Sequence, residues 1–209
     1  MGWMGRGGRA NENPLLIRKL VSNSSGRNQY LLLEGTEAAV IDLDDDIEEV
    51  QNLMKAHNAK LHYILATHGH LFCVRAANEI RARLGGQFMI HEYDEDLLKR
   101  TAPGVTPDGF LKDNMRLPLG RTQIRVLHTP GHTKGSVSYW IRESGALFTG
   151  NTLLKGQQGR IWGPKSMSLM LFSLKRLGYT VSAGNRVYPG RGEETTIGQE
   201  GWIQCLRSA

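Results

Sequence analysis

Two apolar runs that each stop abruptly on histidines constrain this chain most. His62 to Ala66 has the character of a buried strand and gives way to Thr67-His68-Gly69-His70-Leu71-Phe72-Cys73. Open α/β folds place their chemistry just past strand ends, so two imidazoles emerging there together are ligand candidates. Gln123 to Leu127 is a second strand pattern, with Ile124, Val126 and His128 on one face. It runs into His128-Thr129-Pro130-Gly131-His132-Thr133-Lys134-Gly135-Ser136, where Pro130 and Gly131 break the strand and turn His132 back over the sheet edge. A lone His-x-His is a weak signal, more often surface or hydrogen-bonded histidine than a ligand pair. A third imidazole from a distant loop makes His68, His70 and His132 a candidate set for one metal ion.

At these segments the chain resembles the metallo-β-lactamase superfamily, and within it the short glyoxalase II-like hydrolases. The family pattern Thr-His-x-His-x-Asp-His is met at Thr67, His68 and His70, and Thr-Pro-Gly-His-Thr at Thr129 to Thr133. Val40-Ile41-Asp42 resembles the early strand whose aspartate supports the ligand loop. Leu147-Phe148-Thr149-Gly150-Asn151-Thr152-Leu153 resembles Phe-Thr-Gly-Asp-Thr-Leu, with Gly159-Arg160 where a Gly-Arg pair is expected. Tyr188-Pro189-Gly190-Arg191-Gly192 and Thr195-Thr196-Ile197-Gly198-Gln199-Glu200 resemble Pro-Gly-His-Gly and Thr-Thr-Ile-Gly-x-Glu. So many dispersed matches in family order are specific for fold and much less so for activity.

Strand patterns fall near Leu15–Val21, Gln29–Leu33, Ala38–Leu43 and Phe88–His91, and again over 123–128, 136–142 and 146–149. Helices are expected near Ile47–His57, from Val74 through Ala77 and Ile80 to Leu84, around Asp94–Arg100, and near Ser168–Leu177. The Pro- and Gly-rich run Ala102–Gly109 is expected to be a loop. Together with the resemblance, this order implies an α/β protein built as a four-layer αβ/βα sandwich, with its site at one sheet edge. Residues 1–14, rich in Gly and Arg, are expected to form a flexible tail, and 15–209 a single domain.

The departures from the family pattern bear on function. The resemblance assigns one metal to His68, His70 and His132, all intact. Its second metal would take an Asp where this chain has Phe72, a His where it has Cys73 and a His where it has Arg191; the bridging Asp is Asn151. A neutral amide bridges metals poorly, and Phe72 can neither accept a proton nor orient water. Loss of one divalent cation would be offset by loss of the two aspartates, so the pocket need not hold uncompensated charge. Two placements of Arg191 stand open: its guanidinium in the vacated metal position, or out in solvent. Cys73 is read as a small buried group rather than a ligating thiolate. Asp42 and Thr67 are supporting residues, and Trp162 is a candidate pocket wall.

The expected cofactor is one zinc or iron ion with the second metal absent. The expected function is a non-catalytic or strongly impaired glyoxalase II-like protein, a pseudoenzyme kept as a binding or assembly subunit. The alternative is a single-metal hydrolase acting through the three histidines on a thioester or related thiol-derived substrate. The short chain also lacks an evident counterpart to the helical domain with which full-length glyoxalase II enzymes bind glutathione, which points any activity to another substrate.

Charge adds an expectation about partners. Eight acids and no bases fall between Glu34 and Glu49, whereas Asn151 to Gly192 holds seven bases and no acids: Lys155, Arg160, Lys165, Lys175, Arg176, Arg186 and Arg191. With a net charge of +6, the 155–191 stretch is a candidate surface for RNA or a protein complex, against the plainer reading of a solvated basic face. Two cysteines, Cys73 and Cys205, give no disulfide framework. No run approaches membrane-spanning length, so no membrane association is expected. The expected setting is a reducing intracellular compartment, cytoplasmic or organellar, mitochondria included.

Overall fold

A computed structural model describes residues 15–206; the tail expected over 1–14 lies outside them. Two six-stranded sheets dominate. The first runs in the order β1 (Leu16–Val21), β2 (Asn28–Glu34), β3 (Glu37–Ile41), β4 (Lys60–Leu65), β5 (Gln87–His91) and β6 (Gly109–Leu111). The second places β14 (Thr195–Thr196), β13 (Arg186–Pro189), β10 (Ala146–Gly150), β9 (Val137–Ile141), β8 (Thr122–His128) and β7 (Arg116–Leu119) side by side. The short strands β11 (Leu153–Leu154) and β12 (Gln157–Gln158) form a small hairpin beside them.

The period-two alternation of side chains along each strand divides the interior into three cores. Leu31, Leu33, Val40, Ile64 and Ile90 point outward from the first sheet, onto α1 (Ile47–Ala56) and α3 (Ala77–Leu84), where Val50 and Ile80 receive them. Tyr30, Leu32, Ile41 and Leu65 point the other way and meet Ile124, Val126, Tyr139 and Phe148 of the second sheet. Leu127, Trp140, Leu147 and Val187 leave the far face of that sheet and pack against α5 (Pro164–Thr180) and α6 (Gly201–Cys205) through Met170, Leu174, Leu177 and Ile203. Helix, sheet, sheet and helix are thus four layers. The α/β sandwich expected from the sequence is the one observed.

Parallel pairs β3–β4, β4–β5 and β10–β13 need crossover connections, and these bring the helices to the outer faces. They also align strand ends. β3 leads into Asp42, β4 into the 67–70 segment, β10 into Asn151 and β13 into Arg191, while antiparallel β2 begins just after Arg27 at the same edge.

Some boundaries differ from those expected. β6 starts at the end of the run read as a loop; it is three residues long and is held by parallel pairing with β5, which leaves no local pattern. The helix expected from Val74 to Leu84 is two pieces, α2 (Leu71–Val74) and α3, separated by Arg75 and Ala76. Its apolar face persists through the break, with Val74, Ala77 and Ile80 buried. α5 begins earlier than expected because Pro164, lacking an N–H that the first turn does not need, opens it. Among the described residues no helix is long and apolar enough to cross a membrane.

Candidate metal centre

Three imidazoles meet at the aligned strand ends. His68 and His132 are buried and His70 is half-buried. The ring centroids of His68–His70, His68–His132 and His70–His132 lie 4.9, 4.8 and 4.9 Å apart, each pair close to edge-on. One ring nitrogen from each falls within 4.8 Å of the other two.

Outer hydrogen bonds decide which nitrogen two of the rings, His132 and His68, offer. His132 Nδ1 lies 2.8 Å from the Arg160 carbonyl oxygen, which can only accept, so Nδ1 carries the proton and Nε2 is bare. Thr67 Oγ1 donates its one proton to Asp42 Oδ2 at 2.6 Å and stands 2.9 Å from His68 Nδ1. The hydroxyl therefore accepts from His68, which also leaves Nε2 bare. Asp42 is in turn fixed by the Thr67 backbone N–H at 2.7 Å. Burial pushes the Asp42 carboxyl up to about 6, opposed by these bonds from Thr67. Asp42 and Thr67 thus form a hydrogen-bonded chain that ends on His68.

Burial holds all three imidazoles below their ordinary range: His68 well below, with the neighbouring rings adding to it, His70 in the same direction, and His132 down to about 4. Neutral rings keep their lone pairs, which is the state a metal requires.

Asp94, just before α4 (Glu95–Thr101), ties the two histidine loops together. Its carboxylate accepts from the Gly69 N–H at 2.8 Å, the Gly135 N–H at 2.7 Å and the Thr133 hydroxyl at 2.7 Å, and the residue is buried. Sequence reasoning missed it. An acid at the start of a helix reads as a solvated end residue, and nothing local reveals that two loops converge on it. Gly131 lets the second loop pass close to α5: a Cβ there would lie 2.6 Å from Met170 Cα, and its φ of +142° suits no other residue.

The altered positions surround this cluster. Phe72 carries Arg27 on its ring, with the guanidinium carbon 4.9 Å from the centroid, and Arg75 at 5.6 Å. Beneath it, Phe72, Cys73, Asp42, His68 and Asn151 line a residual space of about 10 Å³, at the lower limit for a single water. Cys73 is buried with Sγ 3.6 Å from His68 Nδ1, and burial pushes its thiol well above the usual range, consistent with the small buried group expected. Asp42, His68 and Cys73 also lie within ligating distance of one another, but both Asp42 oxygens are taken by Thr67 and the thiol keeps its proton.

Asn151 donates from Nδ2 to His132 Nε2 at 3.1 Å, and its buried Oδ1 has no partner. Arg191 is exposed and lines a cavity of about 390 Å³ with Arg27, His70, Phe72, Asn151 and Arg160. Arg191 is thus exposed in the wall of this cavity, while Arg27, which sequence reasoning overlooked, covers Phe72. A larger hollow of about 750 Å³ opens on the other side, toward Tyr93, Lys99 and Lys134. Trp162 walls both, and its indole N–H holds the His132 carbonyl at 2.9 Å.

The remaining histidines do not join the cluster. His91 and His128 stack on each other at 4.3 Å. Of the seven bases in 155–191, Lys155 pairs with Glu193, Arg176 with Asp113 at 2.8 Å and Arg186 with Glu194 at 3.6 Å.

The donor set fits a metal ion: three imidazoles that burial holds neutral, two of them, His68 and His132, with their tautomers fixed by outer hydrogen bonds. None of the residues at the altered positions Phe72, Cys73 and Arg191 is a carboxylate or an imidazole.

Residues 25–192 match the family model of the metallo-beta-lactamase superfamily. The hydroxyacylglutathione hydrolase GloC of Haemophilus influenzae is 28% identical over 179 residues, covering 78% of this chain and 84% of that protein. Among solved structures, the BLEG-1 B3 metallo-beta-lactamase superposes with a TM-score of 0.80 at 26% identity, over 92% of this chain and all of that one. TTHA1623, solved in a di-iron-bound form, gives a TM-score of 0.73 at 30% identity, over 88% of this chain and 96% of its own.

Proposed function

The chain belongs to the metallo-β-lactamase superfamily, and on that premise we propose that it is a one-metal relative of the glyoxalase II-like hydrolases in which two-metal hydrolysis is strongly impaired. The observation that carries this reading is the contrast within one pocket. His68, His70 and His132 keep convergent, neutral nitrogens, whereas Phe72 and its surroundings leave about 10 Å³ where the family pattern puts the second set of ligands. A metal ion held by His68, His70 and His132 would supply Lewis acidity and, if zinc, would lower the pKa of bound water to about 7.

What the chain's own residues contribute beyond this is positioning. Asp42 and Thr67 orient His68, the Arg160 carbonyl orients His132, and Asp94 fixes both loops. None of the charged groups lining the 390 Å³ cavity is a carboxylate that could orient an attacking water. The test is hydrolysis of an acyl-glutathione thioester by zinc-loaded protein. Turnover at background is expected for the wild type and for Asn151→Asp, because Phe72 still occupies the second-metal position and Arg191 supplies no ligand. A rate of about 1 per second or more would sink the impaired reading and favour a single-metal hydrolase.

A second reading, that the chain serves as an assembly subunit, is favoured by one surface. Met167, Leu171 and Phe172 are exposed on the outer face of α5, beside the exposed Lys165. That combination suits a protein partner better than RNA, since a single aromatic offers little for base stacking. Capture of one protein that is lost with Phe172→Ser and Leu171→Ser together would support it; identical capture by wild type and variant would remove it.

A further inference from the structure

The cavity beside the histidines has an unusual charge balance. Arg27, Arg160 and Arg191 line it, and no Asp or Glu does. Some arginines of the chain pair with carboxylates, such as Arg18 with Glu49, Arg81 with Asp108, Arg83 with Glu79 and Arg176 with Asp113, and others, such as Arg116 and Arg142, have no such partner among the described residues. Arg27, Arg160 and Arg191 have none there either; what sets these three apart is that they share one hollow. Three like charges around one hollow repel one another unless an anion enters.

Two of the three are held by aromatic faces. Arg27 lies 4.9 Å from the centre of the Phe72 ring and Arg160 lies 4.1 Å from that of Trp162. Stacking fixes the plane of a guanidinium and leaves its N–H fork free for an oxyanion. Asn151 lines the same cavity, and its buried Oδ1 lacks a partner. That oxygen only accepts, so it would be met by a donor group elsewhere on a ligand and not by the oxyanion itself.

We propose that this cavity is an anion subsite, in which Arg27 and Arg191, assisted by Arg160, hold a carboxylate or phosphoryl group of the ligand beside the three histidines. The subsite shares its cavity with the candidate metal position, but its cations do not depend on a metal. It narrows the ligand class to small molecules with a compact oxyanion close to the group that would face His70 and His132. The bulkier remainder has room in the 750 Å³ hollow, which also borders His70, His132 and Trp162.

The experiment is calorimetric titration of inorganic phosphate, and separately of acetate, into chelator-treated and into zinc-loaded protein. Saturable binding of at least one of the two to the metal-free protein is expected. Arg27→Gln and Arg191→Gln should each weaken it by roughly tenfold, as loss of one hydrogen-bonded charge does, whereas exposed Lys165→Gln should not change it. Arg191 is exposed, so its replacement leaves the fold testable even if Arg27→Gln proves unstable. The subsite is overturned by no saturable binding of either anion, by binding that Arg191→Gln leaves unchanged, or by binding that needs zinc and survives both substitutions. The last result would place the anion on the metal and keep the one-metal reading. Anion binding that depends on the arginines in a protein that takes up no zinc would do the reverse.

Discussion

His70 Nδ1 and His132 Nε2 stand 3.1 Å apart across 62 residues of sequence. His132 has already given its only proton to the Arg160 carbonyl, so its Nε2 faces His70 as a lone pair, shared with the Asn151 amide 3.1 Å away. In the absence of a cation His70 Nδ1–H can donate to that lone pair, and a metal ion would take the proton's place. That convergence is costly without a cation or a shared proton, and it depends on groups outside the cluster that keep the two loops in register.

Asp94 is the foremost of those groups. Asp94→Ala would strip the Gly69 and Gly135 N–H groups and the Thr133 hydroxyl of their acceptor and leave them buried. A loss of about 3 kcal/mol or more in denaturant unfolding is expected, together with a metal affinity lowered roughly ten- to a hundredfold in competition with a chelator. Unchanged affinity would show that the loops hold their register without the clamp.

Gly131 sets the approach of the His132 loop to α5. Gly131→Ala would drive a Cβ into the Met170 backbone at 2.6 Å and strain a φ of +142°. A cost of roughly 3 kcal/mol follows from the strain and overpacking together, measured as a lower urea midpoint. A cost below about 0.5 kcal/mol, the range of an ordinary surface change, would mean that the loop relaxes freely.

Acid should loosen the fold in part through His91, away from the metal ligands. Burial, helped by the stacked His128, brings His91 down to about 4. An unfolded histidine takes its proton near pH 6.5. Between those values the unfolded chain binds the proton and the folded chain does not, so this contribution to stability is lost as pH falls from about 6.5 toward 4. Asp42, raised to about 6, acts in the opposite sense over an overlapping range, gaining stability as pH falls. His91→Gln should therefore flatten the decline in melting temperature between pH 7 and 5. An equally steep decline would rule out His91 as a source of the acid sensitivity.

Much of this molecule is legible in its sequence, for identifiable reasons. Alternation over 123–128 reports which face of that strand is buried, and the unbroken apolar run 30–33 reports a strand buried on both faces, which together foretell the layers. The histidine loops announce themselves because Pro130 and Gly131 terminate a strand where a ligand then appears. Arg27 and Asp94 are silent in the sequence because their roles arise only when segments 25 or more residues away fold against them. Phe72 and Arg191 are visible as departures, but their sequence does not say that Arg27 covers the first or that the second stands exposed in a cavity wall. The basic 155–191 stretch shows a similar limit: three of its cations are paired with acids that lie outside it.

The most direct measurement is metal content per chain after loading with excess zinc and desalting, for the wild type and for His132→Ala. One ion per chain is expected in the wild type and close to none in the variant, because two imidazoles alone rarely hold zinc. Two ions per chain, no ion in the wild type, or equal content in both proteins would contradict a single site built from His68, His70 and His132.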